Sequence, residues 1–509
     1  MILLSMNLPI VSCAEMRRIE EQTFAGGVTA DSLMEKVGLQ IAQAVWEWIP
    51  RQGKALIYYG KGHNGGDALV AARLLAKDGW RIELRPQEAD PAKLAALTAA
   101  KLQEFKAVER ELWPAGELDH RPVVILDGLL GIGATGRLRD DIRVLTREIN
   151  ALRARSGARV FAVDLPTGLD GDTGAADADC VVADVTVTAG YAKSGLVADG
   201  AAAHVGRLCV AALADFEPYA PTQYSLETAT PASLRGLLAR RNFDSYKTQY
   251  GRVGIVAGSE GFTGAAVLCA AGALRGGAGL VTIYAPADIQ QILAVKAPPE
   301  VMVRPVRSYS EVLEQKLDVL ALGPGLGKER AGAILQLIEH VAVPMVLDAD
   351  GLNIVAEHDA GLLERCAGPR LLTPHPGEMA RIFPETDKLS RLETVTRFTS
   401  QHAKAQHPIT LLLKGSRTAI HEHGRPVSYN TTGNPGMGTG GMGDVLTGVC
   451  AALIGQHLSL YDAARVGAWV CGHAAEMGAG ADGAEEGLSA MDVAHGLGGA
   501  FSHLRDGYL

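Results

Sequence analysis

Short apolar runs alternate with helical patterns along the whole chain, and that alternation leaves few folds open. Runs rich in Val, Ile and Leu that end on Gly or Asp suit strands buried on both faces of a parallel sheet. In the first half these are Ala55–Tyr59, Val123–Leu126, Val160–Leu165 and Val185–Thr188. Between the first two, Asp67–Lys77 carries Val70 and Leu74 on one apolar helix face, and Gly79 follows as its C-terminal cap. A second series comprises Val253–Ala257, Leu280–Ala285, Val319–Leu322, Met345–Asp348, Leu371–Thr373 and Thr410–Lys414, and it closes with a helical region from Asp444. The pattern lapses between Asp215 and Arg241, a stretch with Pro218, Pro221 and paired Arg240-Arg241 that reads as a domain connection. The expected fold is therefore α/β in two domains, residues 1–225 and 226–509, the first a Rossmann-like three-layer domain.

Composition narrows the function classes. The 509 residues are 47% hydrophobic and 21% charged, a globular balance that excludes collagen and disordered low-complexity chains. A net charge of −9 argues against bulk nucleic-acid binding. No uncharged apolar run reaches the ~18 residues of a membrane helix. The seven cysteines are scattered without a C-x-x-C pair, and Met1–Ile10 lacks a basic start, so a cytoplasmic protein with reduced core thiols is expected.

Glycine is abundant, at 60 residues, so G-x-G-x-x-G carries little information alone. It starts at Gly60, Gly131, Gly436, Gly438 and Gly478. Context separates the copies. Gly60 directly follows a strand, and the polar loop Gly60–Asp67 opens a helix, where bare amides can face an anion. Glu83 lies where a Rossmann ribose-binding acid would sit. Asn64 and Asp67 offer oxygens at this tip; alternatively, Asn64 makes a left-handed turn and Asp67 caps the helix. Asp127 and Asp164 each end a buried strand, and such positions converge at the carboxyl edge of a parallel sheet. Asp170 and Asp172 read as turn residues.

In the second half, Gly258-Ser259 and Gly264-Ala265-Ala266 open a small-residue helix, suited to a nucleotide or to tight packing. Gly323–Gly327 places bare backbone after another strand. His375 sits between two prolines, either as a site residue or as a surface histidine. Gly436–Gly443 is the densest glycine run and leads straight into a helix, forming a candidate phosphate cradle. Behind it Asp444 reads as a general base or as a plain N-cap. Lys414–Thr418 adds a cation and backbone donors, and no P-loop is present. His421 and His423 alternate along an expected exposed hairpin.

Gly60–Asp67, Asp127–Arg137 and Val163–Gly168, with Leu33–Glu35 and Gly38, resemble the signature segments of the NAD(P)H-hydrate epimerases. The resemblance implies that His63, Asn64, Gly65, Gly66, Asp67, Gly131, Ile132, Gly133, Ala134, Thr135, Gly136 and Arg137 bind the hydrated nucleotide, with Asp164 at the reacting ring. It also implies K⁺ on Asn64, Asp127 and Thr167. The family loop usually has two Asn; here the first is His63. From about Leu234 onward the chain resembles the ADP/ATP-dependent NAD(P)H-hydrate dehydratases of ribokinase-like fold. That likeness implies hydrate contacts from Ala265, Gly325, His375 and the catalytic Asp444. It implies adenine-nucleotide contacts, with Mg²⁺, from Lys414, Gly415, Ser416, Arg417, Thr418 and Gly443. The expected function is repair of hydrated NADH and NADPH by a homo-oligomer with no nucleic-acid or membrane partner. The rival is a ribokinase-like small-molecule kinase fused to a non-catalytic nucleotide-binding module.

Overall fold

The apolar runs pair side by side in two separate sheets. The computed structural model describes residues 8–109, 122–134, 136–479 and 484–508. The chain divides into two compact units, one reaching to Tyr224 and the other spanning Ser225–Tyr508. The first unit holds β1 (Lys54–Tyr59), β2 (Arg81–Pro86), β3 (Val123–Gly128), β4 (Arg159–Val163), β5 (Val185–Ala189) and β6 (Arg207–Ala211). Their order is β2-β1-β3-β4-β5-β6, with all neighbours parallel. After its first residue each of β1, β3 and β4 is buried throughout, as helices on both faces require. The order reverses between β1 and β3, where the loops leaving the two strands part and open a crevice.

The second unit holds β7 (Leu226–Ala229), β8 (Arg252–Val256), β9 (Leu280–Pro286), β10 (Met302–Val306), β11 (Val319–Leu322), β12 (Met345–Leu347), β13 (Arg370–Leu372), β14 (Ile409–Leu413), β15 (Ala419–Glu422) and β16 (Val427–Asn430). The order is β10-β9-β8-β11-β12-β13-β14-β15-β16-β7. From β10 to β14 all pairs are parallel, and β14–β15 and β15–β16 are antiparallel. Here the reversal falls between β8 and β11. Gly258, Gly323, Asp348, Thr373 and Lys414 therefore follow the carboxyl ends of five adjacent parallel strands.

The two α/β units match the expected class, with local corrections. The expected strand Val160–Leu165 ends at Val163, leaving Asp164 in a left-handed conformation at φ +67°. The hairpin at β15–β16 exists, but it is not exposed at His421. That side chain is buried and its Nδ1 lies 2.6 Å from Thr399 Oγ1, while His423 faces solvent. All seven cysteines are buried and none is in a disulfide. No helix among the described residues is long and apolar enough to cross a membrane.

Packing accounts for part of the glycine. The helices Thr263–Arg275 and Met442–Gly455 meet so closely that a Cβ on Gly272 would lie 2.3 Å from the Val445 carbonyl oxygen. One on Gly448 would lie 2.0 Å from the Cys269 carbonyl oxygen. This contact seats Met442–Gly455 in the core through Val445, Val449 and Leu453. Gly448→Val must push the two helices apart and is expected to destabilise the second unit by about 3 kcal/mol. A lower urea midpoint in its unfolding transition checks this, and an unchanged midpoint counts against the packing argument.

Candidate active sites

In the first unit the turn Gly60–Gly62 leads from β1 directly into the helix His63–Lys77, so His63–Asp67 belong to the helix rather than to a free loop. Gly62 is the N-cap and Asn64 has no positive φ, which removes both the Asp67-cap and the left-handed Asn64 readings. His63 is exposed at the tip. Gly65 and Gly66 are buried, and their amides donate to the Gly62 carbonyl at 3.0 and 3.4 Å.

Three strand-end segments meet beside this helix. Asn64 Nδ2 donates to the Leu130 carbonyl at 2.9 Å, and the Leu130 amide donates to Thr167 Oγ1 at 3.2 Å. Thr167 in turn donates to Asp127 twice, from its amide at 2.8 Å and from its hydroxyl at 2.7 Å. Asp127 is wholly buried. Burial pushes its carboxyl up to about 6, against the Thr167 and Leu129 donors that favour the ionised form. Among the described residues no cationic side chain pairs with it. A buried carboxylate ringed by hard oxygens and neutral donors fits a monovalent cation better than a thiol-seeking metal.

Gly131 borders this group: a Cβ there would lie 3.4 Å from both Asn64 Oδ1 and Asp164 Oδ2. Ile132 is half-buried, its carbonyl accepting from Arg17 at 2.5 Å, and Gly133, Ala134, Gly136 and Arg137 are exposed. Thr135 lies outside the described residues. Asp164 is paired with the buried Lys193, whose Nζ stands 2.5 Å from Asp164 Oδ1. The same ammonium donates to Thr188 Oγ1 at 3.1 Å and to the Ala189 carbonyl at 3.0 Å. Glu83, by contrast, lies on the edge strand β2 within 2.5 Å of Lys54 and of Arg85.

In the second unit the Gly258 amide donates to the Pro324 carbonyl at 2.8 Å, and Ser259 Oγ donates to the Gly325 carbonyl at 2.9 Å. These bonds tie the loops after β8 and β11 together. A Cβ on Gly325 would lie 2.8 Å from that of Ala265, so these two expected site residues touch. His375 is the N-cap of the helix Pro376–Ile382. Its Nδ1 accepts from the amides of Gly377 and Glu378 at 3.0 and 3.2 Å, and its Nε2 lies 3.4 Å from Glu378 Oε1 in an exposed side chain.

Lys414 Nζ donates to Asp348 Oδ1 at 2.8 Å, and Thr447 Oγ1 donates to Asp348 Oδ2 at 2.8 Å. A Cβ on Gly443 would lie 3.2 Å from Lys414 Nζ. Burial opposes the Lys414 charge, but the carboxylates of Asp348, Glu378 and Asp444 outweigh it and hold the ammonium above its usual range. Gly415 and Ser416 are exposed, Thr418 Oγ1 donates to the Gly415 carbonyl at 3.0 Å, and Arg417 is buried.

The helix Met442–Gly455 is entered through Gly441 at φ +90°, a conformation that disfavours any side chain. Gly441 is the N-cap, so Asp444 in the first turn is not. Gly438, Thr439 and Gly440 are exposed ahead of it. The first amides of a helix have no intrahelical acceptor and therefore face outward toward that space. Burial pushes the Asp444 carboxyl up to about 6, with the charges of Asp348 and Asp350 adding and Lys414 opposing.

Residues 253–495 match the family model described as NAD(P)H-hydrate dehydratase, and residues 30–195 match that of the YjeF-related protein N-terminus. The bifunctional NAD(P)H-hydrate repair enzyme Nnr of Moorella thermoacetica is 36% identical over 497 residues, which covers 92% of each chain. The chain belongs to the bifunctional NAD(P)H-hydrate repair enzyme family. The Escherichia coli K12 family member of the same name is 33% identical and covers 89% of this chain and 86% of its own. A crystal structure of the ADP/ATP-dependent NAD(P)H-hydrate dehydratase from Bacillus subtilis, co-crystallized with ATP/Mg²⁺, aligns at a TM-score of 0.48 with 25% identity. It covers 55% of this chain and 100% of that one.

Within this family member, sequence reasoning missed Lys193, Asp348 and Arg391. Arg391 braces the Lys414–Gly415 turn through the Leu413 and Lys414 carbonyls, each at 3.1 Å. Thr167→Val tests the Asp127 cluster. The folded carboxyl near 6 lies above the ~3.9 of an unfolded Asp. Its contribution to stability is therefore present at low pH and is lost as pH rises through about 6. Removing a donor to the ionised form should cost about 1–3 kcal/mol at pH 8 and less at pH 5. Urea unfolding at the two pH values measures this, and equal losses would contradict it.

Proposed function

We propose that the chain repairs hydrated NADH and NADPH. On this reading residues 1–225 interconvert the R and S forms of the C6 hydrate, and residues 226–509 dehydrate the S form with ADP or ATP. One observation carries it: Asp444, its carboxyl raised by burial, stands just inside a helix whose glycine entry is open to an anion.

Hydroxide leaves poorly near neutral pH, and phosphorylation converts it into a good leaving group. Asp444 takes the C6 hydroxyl proton as that oxygen attacks the terminal phosphoryl group of the nucleotide. Main-chain amides along Gly436–Gly443 stabilise the charge that develops, and loss of phosphate restores the ring double bond. Lys414–Thr418 and Gly443 hold the nucleotide, while Ala265, Gly325 and His375 hold the hydrate. The carboxylates of Asp348 and Asp350, whose charges act on Asp444, are hard donors of the kind Mg²⁺ takes, and that ion would neutralise phosphate charge.

In the first unit His63–Asp67 and Gly131–Arg137 bind the hydrate, Gly65 and Gly66 by shaping the turn. Asp164 exchanges a proton at the ring, with Lys193 hydrogen-bonded to its carboxylate. K⁺ held by Asn64, Asp127 and Thr167 would supply the charge that Asp127 lacks.

Asp444→Asn should fold and bind nucleotide yet dehydrate the S hydrate about a thousandfold more slowly. Recovery of the absorbance of the reduced nicotinamide follows the reaction. Near-normal turnover would refute the assignment, and accumulation of a stable phosphate ester in the parent enzyme would favour a kinase. Since the base must be ionised, kcat/KM for dehydration should fall as pH drops through about 6. For K⁺, replacing the ion by tetramethylammonium should lower the Tm of the first unit at pH 8, where Asp127 is ionised. At pH 5 the Tm should barely move, and the same response at both values would count against the site.

A further inference from the structure

The helix Cys13–Ala25 brings an acid to the first-unit crevice that no expectation included. Met16, Ile19 and Thr23 are buried beneath the helix, and a Cβ on Gly190 would lie 3.0 Å from Met16 Cε. Just before the helix, the Val11 amide donates to the Ala192 carbonyl at 2.9 Å. The Ser194 amide donates back to Val11 at 3.0 Å, so the lead-in brackets Lys193. Arg17 reaches the Ile132 carbonyl, next to the Gly131 that borders Asp164. Glu20 follows Arg17 by three residues and so lies on the same edge of the helix.

Among the described residues the side chains of Glu20 and Asp67 have no hydrogen-bond or ion-pair partner. The nearby cation is not free to supply one. Lys193 has three donor hydrogens, and Asp164, Thr188 and the Ala189 carbonyl engage all three. We propose that Glu20 is the second proton-transfer group of the first unit, donating to the C6 oxygen of the hydrate while Asp164 receives a proton on the other side of the ring. This rests on the epimerase reading above.

Inversion at C6 requires oxygen to leave one face and return to the other. Glu20 protonates the departing hydroxyl, the C6–O bond breaks, and the oxygen leaves as water with the bonding pair. The N1 lone pair forms a C6–N1 double bond. A second water molecule adds from the opposite face, the new O–C6 bond returns that pair to N1, and the surplus proton passes to the Asp164 carboxylate. One water leaves and one enters. Afterwards Asp164 loses its proton to solvent and Glu20 regains one.

The surroundings divide the two acids accordingly. Lys193 donates to Asp164 Oδ1 at 2.5 Å. Burial pushes Glu20 up to about 7; Lys193 and Arg17 oppose this, and Asp164 and Glu21 add to it. Asp67 is raised as well, by burial and by the charges of Asp164 and Glu20, with Lys193 opposing.

The test is conversion of the R to the S hydrate by the full chain without nucleotide, resolved chromatographically and corrected for the uncatalysed rate. Glu20→Gln should lower kcat by about 10²–10³-fold with KM nearly unchanged and with dehydration of the S form intact. In the parent enzyme kcat/KM for this conversion should fall as pH rises through about 7, because the donor must be protonated. That limb should vanish in Glu20→Gln, while Glu20→Asp should restore at least a tenth of the rate. Wild-type conversion by Glu20→Gln with the limb retained, beside an inactive Asp164→Asn, overturns the role of Glu20 and leaves the site reading standing. If Asp164→Asn also converts normally, both fall. Should Glu20→Gln fail to fold, a Glu20→Asp variant whose limb stays unmoved at full rate overturns the proposal equally.

Discussion

In each unit one carboxylate just beyond a buried parallel strand is paired with a lysine. Asp164 after β4 is held by Lys193, and Asp348 after β12 is held by Lys414. Each pair sits where solvent contributes little, so the partners depend on each other: removing one would strand the other as an uncompensated buried charge. Committing the ammonium to the strand-end acid has a second effect. The remaining carboxyls nearby, Glu20 and Asp67 in one unit and Asp444 in the other, are left with burial and like charges and move upward. Each crevice thus holds one lysine-paired acid beside others whose carboxyls are raised.

What could be read from sequence is whatever leaves a local mark. An apolar run ending on Asp identified Asp127 and Asp164, because a buried strand and its polar tip are adjacent in the chain. Val-Leu-Asp348 carries the same mark, but its partner Lys414 lies 66 residues later in the chain. Lys193 and Glu20 leave none. Lys193 follows a strand by four residues in an ordinary loop, and its role exists only because Asp164, 29 residues earlier, folds onto it. Glu20 sits on a helix whose neighbours Arg17, Arg18 and Glu21 look like any solvated face.

Among the strands not expected from the sequence, β2 and β10 form sheet edges. β2 alternates Ile82 and Leu84 with Arg81, Glu83 and Arg85 and so does carry a strand mark, whereas β10 shows neither a continuous apolar run nor strict alternation. His375 shows the converse problem, a residue with two roles. His-Pro-Gly-Glu forms a capping box in which the imidazole replaces the usual hydroxyl or carboxylate. A rule that looks for Ser, Thr, Asp or Asn passes over it. The cap fixes the ring orientation and makes Nδ1 the acceptor, so Nε2 carries the hydrogen, 3.4 Å from Glu378 Oε1.

The pairing of Lys414 with Asp348 also bears on how an anion would be held at the glycine entry. Because the ammonium is shared with a buried carboxylate, it contributes less net positive field there than a free lysine would. The helix amides must then supply much of the attraction, which is why an entry free of side chains matters. An arriving phosphate would push the Asp444 carboxyl higher still, making it a stronger base but a less ionised one. A divalent cation moving in with the phosphate acts in the opposite sense. For the proposed reaction, the two charges must arrive together if Asp444 is to remain both basic and deprotonated near neutral pH.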